Sequence, residues 1–247
     1  MALKESEAII LRSYPLGEAD RLVSFLTRQF GRIRGVAPGA KRTKSSFGGA
    51  LEPLTHVRIS FAERETRDLV RLRHCDILES FLEAHADYDC AVALGLLAEI
   101  TDAVLPEREP SDPAFRLLLV CAREVQRRKA VQPAVLYFAL WTVRLAGWLP
   151  PMRECRKCSR AVTTEGAYAS PVHPNVLCRD CRLPGMRHFT GEELALADRM
   201  LKSKLEELGA AATPGAKGAG LQAFLLDLVE HQLERKLKSR TAMESIR

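Results

Sequence analysis

The chain has 247 residues, 47% of them hydrophobic, and carries 37 Lys and Arg against 31 Asp and Glu for a formal charge of +6. That apolar share excludes a disordered chain, and the length suits one large domain or two to three small ones. No run of 18 apolar residues stands out as a membrane helix, Met1 to Glu7 lacks the apolar core of a secretory leader, and the basic balance favours an anionic partner, most often nucleic acid. A cytoplasmic location with reduced thiols is therefore expected.

In chain order, five short runs read as strands: Ala8 to Arg12, Leu22 to Thr27, Gly31 to Ala37, Thr55 to Phe61 and Leu69 to His74. The fourth is the clearest. Val57, Ile59 and Phe61 take one face and His56, Arg58 and Ser60 the other, the period of a half-buried strand. Turn residues at Pro15-Leu16-Gly17, Pro38-Gly39 and Gly48-Gly49 separate the runs. Five strands in so short a stretch predict a small barrel, of which the OB-fold is the common five-stranded form.

Beyond residue 80 the period becomes helical. Ala93, Leu96, Leu97, Ile100 and Val104 form one stripe, and Phe115, Leu118, Leu119, Ala122 and Val125 another. Val135 to Trp148 is apolar on most sides and predicts a central helix. Pro106, Pro110, Pro113 and Pro133 are expected between helices. Thr190 and Glu193 have capping-box spacing, opening a stripe of Leu194, Ala197, Leu201, Leu205 and Leu208. Gly209 to Gly220 reads as a linker, and a last helix is expected from Leu221 to about Ser239.

Seven cysteines are present. Cys155 and Cys158 form one C-x-x-C, and Cys178 and Cys181 another, with 19 residues between the pairs. This is the zinc-ribbon spacing: two intervening residues let one tight turn aim both sulfurs at one ion. Four cysteines close the coordination sphere, so the expected zinc is structural. Arg153, Arg156, Lys157, Arg160, Arg179 and Arg182 surround it. His173 and His188 are expected to face solvent, and Cys75, Cys90 and Cys121 to be ordinary buried thiols.

Between Arg21 and Leu51 there are seven basic residues and no acidic one. Arg28, Arg32, Arg34, Lys41, Arg42 and Lys44 of this run are expected to contact phosphates. Phe30 and Phe47 are expected in the core rather than stacked on bases. Further basic clusters occur at Arg123, Arg127, Arg128 and Lys129 and at Arg235, Lys236, Lys238 and Arg240, where they can also complement helix ends.

The run Ala8-Ile9-Ile10-Leu11-Arg12, then Gly17-Glu18-Ala19-Asp20-Arg21-Leu22, Phe25 to Arg32, Gly39-Ala40-Lys41-Arg42 and Leu51-Glu52-Pro53 resemble the RecO family of bacterial DNA-repair proteins. Gly147-Trp148-Leu149-Pro150 leading into Cys155 resembles that family's helix-to-zinc junction, and Leu237-Lys238-Ser239-Arg240 its C-terminal ending. The resemblance implies an α+β chain: an N-terminal OB-fold β-barrel (1–80), a helical domain in two parts (81–152 and 189–247) and an inserted four-cysteine zinc module (153–188). It implies binding of single- and double-stranded DNA, annealing of complementary strands, and partnership with RecR and with the acidic C-terminal tail of the single-stranded-DNA-binding protein. The implied outcome is loading of RecA onto coated single strands, with no catalytic residue. A zinc-ribbon adaptor acting on RNA or transcription is the alternative. An enzyme is disfavoured, because the sequence lacks clustered carboxylates, H-E-x-x-H, G-x-S-x-G and a P-loop.

Overall fold

Residues 2–43, 45–63, 68–128, 131–162, 165–173, 175–208 and 215–245 are described by the computed structural model. Contacts divide the chain into two compact units, unit 1 comprising 1–129 with 237–247, and unit 2 comprising 130–236.

In unit 1, Val57, Ile59 and Phe61 do face inward, buried in one cluster with Ile10, Val23, Phe25, Ile33, Val70 and Leu72. They line a closed barrel of strands β1 (Ala2–Leu16), β2 (Asp20–Thr27), β3 (Gly31–Ala37), β4 (His56–Glu63) and β5 (Val70–Glu79), ordered β1-β2-β3-β5-β4. Closure removes the exposed edges a five-stranded sheet would otherwise present.

The first strand is far longer than its apolar middle. Residues from Ala2 to Ile9 pair with β4, those from Ala8 to Leu16 pair with β2, and the register shifts between Ile10 and Arg12. The bulge bends β1 so that one strand serves two neighbours.

Barrel closure is thin between β3 and β5, which pair only at Gly35–Val70 and Val36–Arg71. Beside the first half of β3 lies the loop between α2 (Tyr88–Val104) and α3 (Asp112–Arg128). There the Arg108 amide donates to the Arg32 carbonyl at 2.9 Å. Gly31 permits this approach: its φ is +72°, and a Cβ built on it would collide with the Glu109 backbone.

The helices of unit 1 pack as their periods require. On α3, Phe115, Leu118, Ala122 and Val125 are buried. After the short α1 (Leu82–His85), the Asp87 carboxylate caps α2 by accepting from the Cys90 amide. Against α2 packs α7 (Lys238–Glu244). The buried Glu99 carboxylate accepts the Lys238 amide at 3.0 Å and the Ser239 amide at 2.8 Å, so α2 supplies the cap for α7.

In unit 2, α4 (Val131–Leu145) is buried on most sides and packs against α5 (Gly191–Lys202) and α6 (Gly215–Gln232). The capping box of Thr190 and Glu193 is formed. A two-stranded sheet, β6 (Ala167–Ala169) with β7 (Arg187–Phe189), belongs to the cysteine segment.

Several expectations need correction. Pro113 and Pro133 lie in the first turns of α3 and α4, where a missing N–H breaks no helical bond. The stripe from Leu194 does not continue as one helix: α5 stops at Lys202, and Leu205 is buried from a separate short 3-10 turn. Residues 215–220 of the expected linker begin α6, while 209–214 lie outside the described residues. The last expected helix is two. Glu234 adopts φ of 52°, and Leu237 then turns into the core of unit 1 ahead of α7. Among the described residues no helix is long and apolar enough to cross a membrane.

Candidate nucleic-acid face and metal centre

The basic run of the barrel divides into clamped and free cations. Arg28 binds Asp112 at 2.7 Å and lies 3.4 Å from Glu7. The hydrogen bond to Asp112 raises its pKa further above the usual guanidinium value. Arg32 donates through Nε to the Leu105 carbonyl at 2.8 Å and lies 3.5 Å from both Asp102 and Glu107. Arg34 binds Glu107 at 2.6 Å. Arg12 reaches Asp102 at 2.9 Å. Apart from Glu7 on β1, these carboxylates come from the end of α2, the α2–α3 loop and the start of α3, so the arginines fasten the barrel to the helical segments.

Exposure separates the clamped side chains. The Arg32 side chain is only 15% exposed, while those of Arg28 and Arg34 are 44% and 47% exposed. Lys41 and Arg42 stand exposed in the loop after β3, and among the described residues neither has a carboxylate partner; the Lys41 ammonium donates to the Gly17 carbonyl at 3.2 Å. Lys44 lies outside the described residues. Phe47 is buried, and Phe30 packs edge-on against Phe61 with centroids 5.9 Å apart.

Sequence reading missed Arg71 and Arg73. Strand alternation turns Val70 and Leu72 into the core and leaves both arginines exposed, with no acidic partner among the described residues. Arg71 is the register partner of Val36, two positions along the same outer face from Arg34. The signal was the pattern Val-Arg-Leu-Arg, in which alternation alone assigns the arginines outward.

The two C-x-x-C pairs converge. All four sulfurs of Cys155, Cys158, Cys178 and Cys181 lie within 4.8 Å of one another, and Cys158 Sγ is 3.7 Å from Cys178 Sγ. A tetrahedron with metal–sulfur bonds of about 2.3 Å has edges of about 3.8 Å. The spacing thus suits a four-thiolate metal site and is far too long for a disulfide. The Arg156 amide donates to the Val176 carbonyl at 2.9 Å, binding one knuckle to the other. Burial pushes the Cys155 thiol up, but amides of Cys178, Cys158 and Lys157 outweigh it and bring the pKa to about 6. Cys181 is pushed up to about 12 by desolvation and by the adjoining sulfurs. His173 and His188 stand exposed outside the sulfur cluster. Cys75, Cys90 and Cys121 are buried thiols, and Cys90 Sγ donates to the Val125 carbonyl at 3.9 Å.

Comparison with known proteins agrees over both units. The model of the recombination protein O N-terminal region matches residues 1–81, and that of its C-terminal region matches residues 85–241. The chain is 42% identical over 244 residues to the DNA repair protein RecO of Koribacter versatilis, covering 99% of each chain. The chain belongs to the RecO family. To the RecO protein of Nocardioides it is 36% identical over 247 residues, covering 98% of this chain and 99% of that one. To that of Bifidobacterium longum the figure is 30% over 247 residues, covering 99% and 100%.

This RecO-family chain also carries a groove of about 800 Å³ in unit 2. Leu149, Pro150, Met152, Leu194 and Leu201 line it, together with Arg144, Arg153 and Lys202. Asp198 lies between two of these cations, 2.6 Å from Arg153 and 2.5 Å from Lys202.

Proposed function

We propose that the protein is a DNA-binding recombination mediator that works by holding strands, without covalent chemistry. It binds single- and double-stranded DNA, anneals complementary strands, and with RecR helps load RecA onto DNA coated by the single-stranded-DNA-binding protein. The observation that carries the reading is the set of exposed cations on the barrel that have no carboxylate partner among the described residues: Lys41, Arg42, Arg71 and Arg73. Such cations neutralise phosphates at little desolvation cost and reduce the repulsion between two strands. Lys44 extends the same loop in sequence. Arg28 and Arg34 join by exchanging a carboxylate for a phosphate, and Arg32 positions the face from beneath.

In this reading the barrel (1–80) is the DNA-binding domain, 81–152 and 189–247 form the helical body, and 153–188 is the zinc module. One structural Zn²⁺ is held by Cys155, Cys158, Cys178 and Cys181, where it fixes the two knuckles. The acidic tail of the single-stranded-DNA-binding protein suits the groove lined by Leu194 and Leu201, which combines apolar side chains with Arg144, Arg153 and Lys202 against the single carboxylate of Asp198. The protein works in the cytoplasm, on the nucleoid.

Strand annealing, measured on bare DNA and on DNA coated by the single-stranded-DNA-binding protein, tests this directly. Acceleration on both substrates is expected. Preference for RNA with no annealing would return the chain to the adaptor class.

A further inference from the structure

On the cysteine module, Tyr168 and His188 are register partners in the β6–β7 pair. Their strand neighbours Ala167, Ala169 and Phe189 are buried, so alternation sends Tyr168 and His188 to the opposite, outward face. The two rings stack with centroids 4.8 Å apart and planes 38° from parallel. The Arg182 guanidinium lies 5.1 Å from the Tyr168 ring centroid. His188 and Arg182 are exposed, and Tyr168 is half-buried.

The stack is built rather than incidental. Gly166 has φ of +87°, and a Cβ there would lie 2.6 Å from His188 Nε2, so only glycine leaves room for the imidazole. Tyr168 exchanges two backbone hydrogen bonds with Leu177, at 2.8 and 2.9 Å. Leu177 directly precedes Cys178, so the stack is tied to the second knuckle.

The knuckles to which the stack is tied carry Arg156, Lys157 and Arg179, all exposed and, among the described residues, without an acidic partner; the Arg156 amide donates to the Val176 carbonyl, one residue before Leu177. The nearby Asp180 is engaged by Arg160 at 2.6 Å. Part of this positive charge answers the thiolates, but the cationic heads are exposed while Cys155 and Cys178 are buried.

Planar groups on an open face, carried by a module whose knuckles bear exposed cations without an acidic partner among the described residues, match what single-stranded nucleic acid requires: stacking platforms for bases and cations for phosphates. We propose that this face of the cysteine module is a second DNA site, selective for single strands because a duplex hides its base faces. The inference rests on the DNA-binding reading above and extends it from the barrel to unit 2.

The test uses the full metal-loaded chain with a thymidine oligonucleotide, its abasic counterpart and a duplex. Arg156→Gln/Lys157→Gln/Arg179→Gln should lower the salt dependence of single-strand binding by about two units, at roughly 0.7 per phosphate contact. Tyr168→Leu should weaken oligonucleotide binding by on the order of tenfold, with little effect on the abasic strand or the duplex. Tyr168→Phe should restore it. Metal content shows whether each variant keeps its module, and the triple variant decides the matter if Tyr168→Leu loses metal. If the wild type binds DNA and the metal-loaded triple variant keeps the same salt dependence, the second site is wrong and the barrel reading survives. If the wild type binds none of the probes, both fall.

Discussion

Two basic regions of this chain look alike in sequence, and in the fold each holds cations of two kinds. In the barrel, Arg28, Arg32 and Arg34 are fastened to Asp112, Asp102 and Glu107. On the cysteine module, Arg153 and Arg160 are likewise fastened, to Asp198 and Asp180, but Arg156, Lys157 and Arg179, like Lys41, Arg42, Arg71 and Arg73 on the barrel, are exposed and, among the described residues, free of acidic partners. A run of cations therefore measures charge in the chain, not charge offered to a ligand. An arginine that folding has already paired contributes mainly to the seam it closes, while an unpaired one gives a phosphate its full field.

The strongest perturbation of that contrast is loss of a sulfur from the four-cysteine cluster. Cys178→Ser should leave well under one equivalent of zinc and remove the module's thermal transition, because structural zinc supplies on the order of 10 kcal/mol or more to small sites. Metal analysis with calorimetry checks this. Binding by the barrel cations should persist, and its complete loss would mean that the two regions are not separable.

Next in size is the barrel seam. Gly31→Ala puts a Cβ against the Glu109 backbone at positive φ and should cost about 3 kcal/mol in denaturant unfolding. Arg32→Ala should cost about 2 kcal/mol, since it strips partners from the Leu105 carbonyl and the half-buried Asp102. Its salt dependence of DNA binding should barely change. Lys41→Ala/Arg42→Ala should do the reverse: under about 0.5 kcal/mol in stability, but a salt slope on duplex DNA lower by nearly two units. Equal effects of the two changes on slope would erase the distinction between clamped and free arginines.

A gentler probe is acid. Burial pushes the Glu99 carboxyl up, but the Ser239 and Lys238 amides and Arg12 outweigh it, so its pKa lies below the usual 4.5. A depressed folded-state pKa stabilises above the unfolded value and is lost as pH falls through the folded one. Glu99→Gln should therefore cost on the order of 1–2 kcal/mol near neutrality and flatten the fall in stability below about pH 4.5, read by urea unfolding across pH.

What could be read from the sequence was what is local. Val57, Ile59 and Phe61 announce a strand within five residues, and each C-x-x-C announces a ligand pair within four. The clamps could not be read this way, because Arg32 and Leu105 are 73 residues apart and only the folded chain joins them. The ends of β1 were missed because Leu3 to Glu7 are largely polar or exposed, and it is pairing with β4 that makes them a strand. The strands carrying Tyr168 and His188 are three residues long, too short for any period to register.

The cap that Glu99 places on α7 bears on how the protein is made. Residues 237–247 belong to unit 1, yet they leave the ribosome only after the whole of unit 2 has been synthesised. The barrel and α1 to α3 precede unit 2 in the chain, but the Glu99 carboxylate on α2 meets the Lys238 and Ser239 amides only once unit 2 has been made. The nascent chain therefore holds its first unit unfinished until α7 docks.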